Sequence, residues 1–554
     1  MRAWLLLLLS IGFNVAALGN PPAVAGGTVR KHLVYFRDKT GTPFSTTRPD
    51  AFLSARALQR RSRQQIPVSS RDLPVAPAYV AQVRAVPGVQ LWYTSRWFNA
   101  AVISCDSATL AQVQALPIIR SAETLNRKPQ AGSRPALRPA LPQKQSTQSR
   151  RADYGLAFAQ AAQLDAVTMH DAGFKGEGMQ IAVFDAGFPS VDQLEAFKPL
   201  FSEKRVASTF NFVDKTKTVF ERDAHGTSVL SALAANTPGF FVGTAPQATY
   251  HLCITEDASS EHPVEEMNWL IAAEYADSAG VDIISSSLGY TTFDEPSIDH
   301  TYPDLNGRTT IGTRAATMAA RVGMVVLNSA GNDGDKPWRY IDVPADADSV
   351  IAVGAVDSLG VRAGFSSVGP TADGRIKPDL MAMGYLAAVI RPSGVAVRGN
   401  GTSYACPVLA GMVAGLWQSS PGLSAQQVIE TLKRSGSQAA NPDNERGYGI
   451  PNFVRAYELA NPGKPLSLPG KATGLLVYPN PTASNELFLT IPEELLLKNL
   501  RVRVYDSRGA LVLDRTMFNN SPKMQVRTGV LARGTYTCTV SSNGVRRTAR
   551  FVRL

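Results

Sequence analysis

A serine hydroxyl is hardly ionised at neutral pH and becomes a nucleophile only beside a base. Three stretches of the chain carry the residue types for that chemistry. Ile181-Ala-Val-Phe-Asp185 has the pattern of a buried strand that ends in a carboxylate and turns at Gly187. His225-Gly226-Thr227 opens a helix-like run through Leu233. Gly399-Asn-Gly-Thr-Ser403-Tyr-Ala-Cys-Pro407 precedes the apolar, helix-like run from Val408 to Trp417. The imidazole of His225 titrates near working pH and can serve as the base. A buried Asp185 can fix its tautomer and stabilise the imidazolium as it forms. Gly401 lets the backbone turn sharply and puts Ser403 at a helix start, where main-chain amides face a developing oxyanion. Pro407 is expected in the first turn of that helix, where a missing amide donor costs least. Met324-Val-Val-Leu-Asn-Ser-Ala-Gly-Asn332 reads as a strand ending in a Gly-Asn turn, so the Asn332 amide can donate to the same oxyanion. Ile283-Ile-Ser-Ser-Ser-Leu-Gly289 reads as another strand. With a free edge it would hold an extended peptide by main-chain hydrogen bonds.

These groups need a frame that brings them together. Residues 152–470 alternate short apolar runs, such as Thr249 to Ile254 and Val350 to Val353, with helix-length segments. That pattern implies an α/β unit with a parallel sheet covered by helices on both faces. Reactive groups then collect at the carboxyl ends of the strands. Residues 28–125 read as a smaller α+β unit. Lys31 to Phe36 is a strand, Asp50 to Gln65 a helix, Val89 to Ser104 strand-like, Ala108 to Leu116 a helix, and Ile118-Ile119 a last strand. The expected order is close to a ferredoxin-like pattern. Residues 126–151 are Pro, Gln, Ser, Arg and Lys with few large apolar side chains, the composition of an exposed linker. Residues 471–554 alternate over short segments between Gly, Asn and Pro, which reads as a small β-sandwich. At the N-terminus, Arg2, the apolar run Trp4 to Leu9 and Ala17-Leu18-Gly19 read as a signal peptide over 1–19.

Taken together, the flanks DAG at Asp185, HGTSV at His225, SSSLG at Gly289, SAGN at Asn332 and GTSYACP at Ser403 resemble the subtilisin-like serine peptidases. The resemblance covers about 152–460. It implies the subtilase fold, with Asp185 orienting, His225 as general base, Ser403 as nucleophile and Asn332 as oxyanion donor. Ser287, Leu288 and Gly289 would line the substrate strand. Ala186 departs from the family, which usually has Thr or Ser there, and Ser228-Val-Leu-Ser-Ala232 replaces the usual small-residue continuation. His225 and Asn332 argue against the related sedolisins, which use Glu and Asp. No G-x-S-x-G elbow is present, which disfavours an α/β-hydrolase. Residues 28–125 resemble a subtilase propeptide. Tyr478-Pro-Asn-Pro481, Val504 to Gly509, Gly534-Thr-Tyr536 and Arg550 to Leu554 resemble a type IX secretion sorting domain.

The resemblance therefore implies a secreted or surface-bound endopeptidase made as a precursor. Its partners would be polypeptide substrates, its own propeptide as intramolecular inhibitor, and the secretion machinery. The rival reading is a catalytically silent surface adhesion protein. The chain has 554 residues and a formal charge of +11. That charge is divided: residues 1–125 carry 14 basic and 5 acidic side chains, 126–151 carry 7 and none, 152–470 carry 22 and 35, and 471–554 carry 13 and 5. The acidic central segment argues against a nucleic-acid groove there. The opposite signs of neighbouring segments suggest that they bind each other. Cys105, Cys253, Cys406 and Cys538 have no metal-ligand spacing. Cys253 and Cys406 could pair, but buried thiols are expected for all four. No cofactor is expected, and structural calcium is left open with no motif to support it. Asp304-Leu-Asn-Gly307 faintly resembles a calcium loop but lacks the rest of that pattern, and a surface turn is expected.

Overall fold

The computed structural model describes residues 28–125, 153–464 except 296, and most of 475–553. The signal stretch 1–19 and the linker 126–151 lie outside the described residues.

The N-terminal unit runs β1 (Arg30–Phe36), α1 (Ala55–Arg63), α2 (Pro77–Ala85), β2 (Gln90–Ser95), β3 (Ala100–Cys105), α3 (Ser107–Gln114) and β4 (Ile119–Thr124). Its four-stranded antiparallel sheet has the order β2-β3-β1-β4. The stretch Val89 to Ser104, expected as strand, is a hairpin. Arg96 to Asn99 form its turn, and Asn99 takes a left-handed φ of 52°. No Gly or Pro marks that turn. The helices are capped locally: Ser54 accepts from the Ala57 amide at the start of α1, and Asp106 from the Thr109 amide at the start of α3.

The central unit contains α4 (Phe158–Gln163), α5 (Ala166–Asp171), β5 (Gln180–Asp185), α6 (Lys198–Ser202), β6 (Val206–Asn211), α7 (His225–Ala234), the short ribbon β7 (Asn236–Thr237) and β8 (Phe241–Val242), β9 (Thr249–Ile254), α8 (Val264–Ala279), β10 (Ile283–Ser286), α9 (Ile311–Arg321), β11 (Val325–Ser329), β12 (Val350–Val356), β13 (Leu380–Met383), β14 (Ala387–Ile390), β15 (Ala396–Gly399), α10 (Thr402–Ser419), α11 (Ala425–Arg434) and α12 (Phe453–Ala460). Seven parallel strands lie in the order β13-β12-β11-β10-β5-β9-β6. Their apolar runs are buried on both faces, as a parallel sheet between helices requires. One face packs on α7 and α10, the other on α8 and α9. Trp269 and Trp417 are both core residues, and all four cysteines are buried free thiols.

The C-terminal strands are β16 (Leu476–Tyr478), β17 (Glu486–Thr490), β18 (Lys498–Tyr505), β19 (Leu511–Asn519), β20 (Lys523–Arg527), β21 (Gly534–Ser542) and β22 (Val545–Arg553). They form one sheet β16-β17-β20 and another β19-β18-β21-β22, both antiparallel. Leu487, Leu489 and Val526 of the first and Val502, Val504, Val540 and Phe551 of the second belong to one buried cluster.

The N-terminal unit sits on α8 through ion pairs and hydrogen bonds that are largely buried. Glu274 accepts from the Ser95 hydroxyl at 2.5 Å and from the amides of Arg96 and Trp97 at 3.0 and 3.1 Å. Asp277 gathers three guanidiniums, from Arg60, Arg61 (2.8 Å) and Arg96 (2.7 Å). Arg56 pairs with Asp282. Opposite charges of these two units thus meet in a network whose centre, at Asp277, is largely buried.

Candidate active site

β5 runs between β10 and β9, so Asp185 emerges at the carboxyl edge of the sheet with no exposed surface. Its Oδ1 accepts from the Ala186 amide at 2.8 Å. The missing family hydroxyl at position 186 therefore leaves the carboxylate with a main-chain donor. His225 is the first residue of α7, and its amide donates to Asp223 Oδ1 at 2.8 Å. Its Nδ1 lies 2.9 and 3.1 Å from the two Asp185 oxygens. That contact puts the proton on Nδ1 and leaves Nε2 as the acceptor. Gly226 permits the approach, because a Cβ there would lie 2.9 Å from the Asp185 Cβ. Burial draws the His225 pKa down, but the Asp185 charge and hydrogen bond, with Asp223 behind them, outweigh it and hold it above 6.5.

Ser403 is the second residue of α10 and is 8% exposed. Its hydroxyl donates to the Ser287 carbonyl at 3.3 Å, a long and weak bond. Pro407 lies beyond the first turn rather than within it. It has no N–H to return to the carbonyl four residues back, which is that of Ser403. The Ser287 hydroxyl takes the vacated place, donating to the Ser403 carbonyl at 2.8 Å. A proline inside a helix thus ties the Ser403 helix to residues 287–289.

Asn332 follows β11 and is exposed. Its Oδ1 accepts from the Thr402 amide at 2.9 Å and the Thr402 hydroxyl at 3.1 Å. Two donors on one end of the amide fix its orientation, so the NH2 end is the one left for a ligand.

The expectation of a free strand edge at 283–289 is overturned for the strand itself. β10 is the middle strand of seven, paired with β11 and β5 along all four residues. Only 287–289 extend past the last paired residue. The Leu288 carbonyl accepts from Asn328 Nδ2 at 2.8 Å, and Gly289 is exposed. Two neighbours escaped the sequence reading: Thr402, which holds Asn332, and Tyr404, whose ring lies 6.0 Å from that of His225. Both stand in the quoted GTSYACP stretch, beside the serine that drew attention.

Asp304 accepts from the amide and hydroxyl of Thr301 in a local turn. Among the described residues, Glu256, Glu261 and Glu265 offer three carboxylate oxygens within 4.8 Å, the set with the chemistry to hold a divalent cation. Burial, then the charges of Glu256 and Glu261, push Glu265 well above the usual carboxylate range.

The Subtilase family profile matches residues 176–449, a Peptidase S8 propeptide domain of Bacteroidota matches 31–137, and a secretion system C-terminal sorting domain matches 476–553. The chain is 31% identical to Subtilisin DY of Bacillus licheniformis over 299 residues, 53% of this chain and 94% of that protein. It is 30% identical to Subtilisin NAT of Bacillus subtilis subsp. natto over 284 residues, 50% of this chain and 66% of that protein. The membrane-bound transcription factor site-1 protease of Homo sapiens is 29% identical over 324 residues, 27% of its length. The sorting domain marks a secreted or cell-surface protein. No described helix is long and apolar enough to cross a membrane.

Proposed function

The chain belongs to the Subtilase family, and on that footing we propose that Ser403, His225 and Asp185 hydrolyse peptide bonds through an acyl-enzyme. The observation that carries this reading is the two-oxygen contact of buried Asp185 with His225 Nδ1 at 2.9 and 3.1 Å. The Ser403 hydroxyl leaves its weak bond to Ser287 and turns to His225 Nε2. Its oxygen adds to the peptide carbonyl as Nε2 takes the proton. The oxyanion is met by the Ser403 amide and the Asn332 NH2 group. Nε2 then gives the proton to the departing amine, leaving an ester on Ser403. Water, losing a proton to Nε2, adds to the ester, and the serine leaves with that proton. Residues 287–289 hold the substrate chain. The N-terminal unit acts as inhibitor until it is cut away, and the C-terminal strands address the export machinery.

The test is reaction of the purified mature protein with a fluorophosphonate probe and hydrolysis of casein. Labelling and hydrolysis are expected, and both vanish in Ser403→Ala. Undiminished hydrolysis by that variant sinks the assignment. Failure of the wild type to react points instead to a silent binding protein.

A further inference from the structure

Residues 287–289 and 329–332 flank the reacting centre, and one buried carboxylate stands between them. Asp342 is 8% exposed. Its amide donates to the Ala330 carbonyl at 3.0 Å, and the next residue, Val343, accepts from the Tyr290 amide at 2.9 Å. Main-chain bonds to both flanking segments therefore fix its position. Its side chain lies against two glycines, one on each segment. A Cβ at Gly289 would come within 2.7 Å of Asp342 Oδ2, and one at Gly331 would strike the same oxygen. Gly331 immediately precedes Asn332, so this carboxylate is one residue from the proposed oxyanion donor.

Resting on the proposed peptidase reading, we propose that Asp342 is the specificity-determining base of the pocket for the residue whose carbonyl is attacked, and that this residue is Lys or Arg. Among the described residues, Thr291 is the hydrogen-bond donor to the Asp342 carboxylate, on Oδ1 at 2.9 Å. Oδ2 is left for a guest. The charged groups facing it are Asp333, Glu261 and Lys336, and Lys336 is engaged with Asp333 at 2.5 Å. An apolar guest would bury the carboxylate against hydrocarbon, and an acidic one would repel it. A cationic guest supplies the missing partner. Glycine is required at 289 and 331, since any larger residue would collide with the carboxylate itself. Burial, then Asp333, push the empty carboxyl up to about 7, against Thr291 and Lys336. The segment joining the inhibitory unit to the central unit fits the same preference, for 126–151 carries seven basic residues and no acidic one.

The experiment compares kcat/KM of the mature enzyme on matched peptides with Lys, Arg, Leu or Glu at the position of cleavage. Lys and Arg are expected to exceed Leu by about tenfold or more. Asp342→Asn is expected to lose about 100-fold on Lys, the scale of leaving a buried charge unpaired, and to gain on Leu, so that the Lys-to-Leu preference inverts. The Lys-to-Leu ratio of the wild type falls as pH drops through about 7, where Asp342 takes a proton; His225 titrates in both terms and cancels. Benzamidine, a cation that needs no turnover, should raise the melting midpoint of the wild type and not of Asp342→Asn. Equal cleavage after Leu and Lys, or benzamidine binding that ignores Asp342→Asn, overturns the proposal. Selective benzamidine binding without fluorophosphonate labelling would retire the catalytic reading and leave the pocket standing.

Discussion

His225 must be neutral to accept a proton, and Asp185 holds its pKa above 6.5. The acid limb of kcat/KM should therefore lie above pH 6.5, with activity rising as pH rises through it. Asp185→Asn removes the charge that causes the shift and should bring the limb down along with turnover. A pH profile on a Leu peptide measures both. Asn332→Ala should lower kcat about 100- to 1000-fold with KM little changed, the cost known for one such donor in a subtilisin. The candidate side chains Asp185, His225, Ser403 and Asn332 could be picked out from the sequence because each sits in a short local pattern. Asp342 was not legible, because its meaning comes from Gly289 and Gly331, 53 and 11 residues earlier in the chain. Thr402 was hidden for another reason: a threonine beside a serine carries no sign of which distant amide it holds.

The helix that presents Ser403 depends on an exchange of donors. Pro407 withholds one from the Ser403 carbonyl and Ser287 provides one. Ser287→Ala should strand that buried carbonyl and lower stability by about 1–3 kcal/mol. Adding Pro407→Ala restores an N–H inside the helix and should recover part of the loss. Melting midpoints of the two single variants and the double variant test the coupling, and strict additivity would refute it. Parallel strands were legible because their apolar runs are continuous and the helices between them long enough to cross over. The free edge expected at 283–289 was not found, because a run of that kind reads alike at the middle and the rim of a sheet. The hairpin at 90–105 was missed because Arg96 to Asn99 offer no Gly or Pro as punctuation. Position 407 was misjudged because the sequence leaves the first helical residue open by a turn.

At the scale of the whole molecule, the split charge foretold that the first unit would bind the central one, but not how. The contact is built on Asp277 with Arg60, Arg61 and Arg96, all largely buried. Asp277→Ala takes the shared carboxylate from Arg60 and Arg96, leaves Arg61 only Asp72, and should weaken inhibition in trans by about 100-fold or more. Salt acts on exposed charge at encounter and little on a sealed network. Association of the added N-terminal unit should therefore slow with ionic strength while dissociation stays constant. Stopped-flow traces separate the two, and a dissociation rate that climbs steeply with salt would contradict the buried geometry. The same network makes parting asymmetric. Glu274, Asp277 and Asp282 become a well-hydrated stripe on the mature surface. The departing piece keeps Arg56, Arg60 and Arg96 stripped of their carboxylates, while Arg61 retains Asp72. Cut loose as the proposed inhibitor, that piece should be the readier of the two to unfold and be digested, which would make maturation run one way.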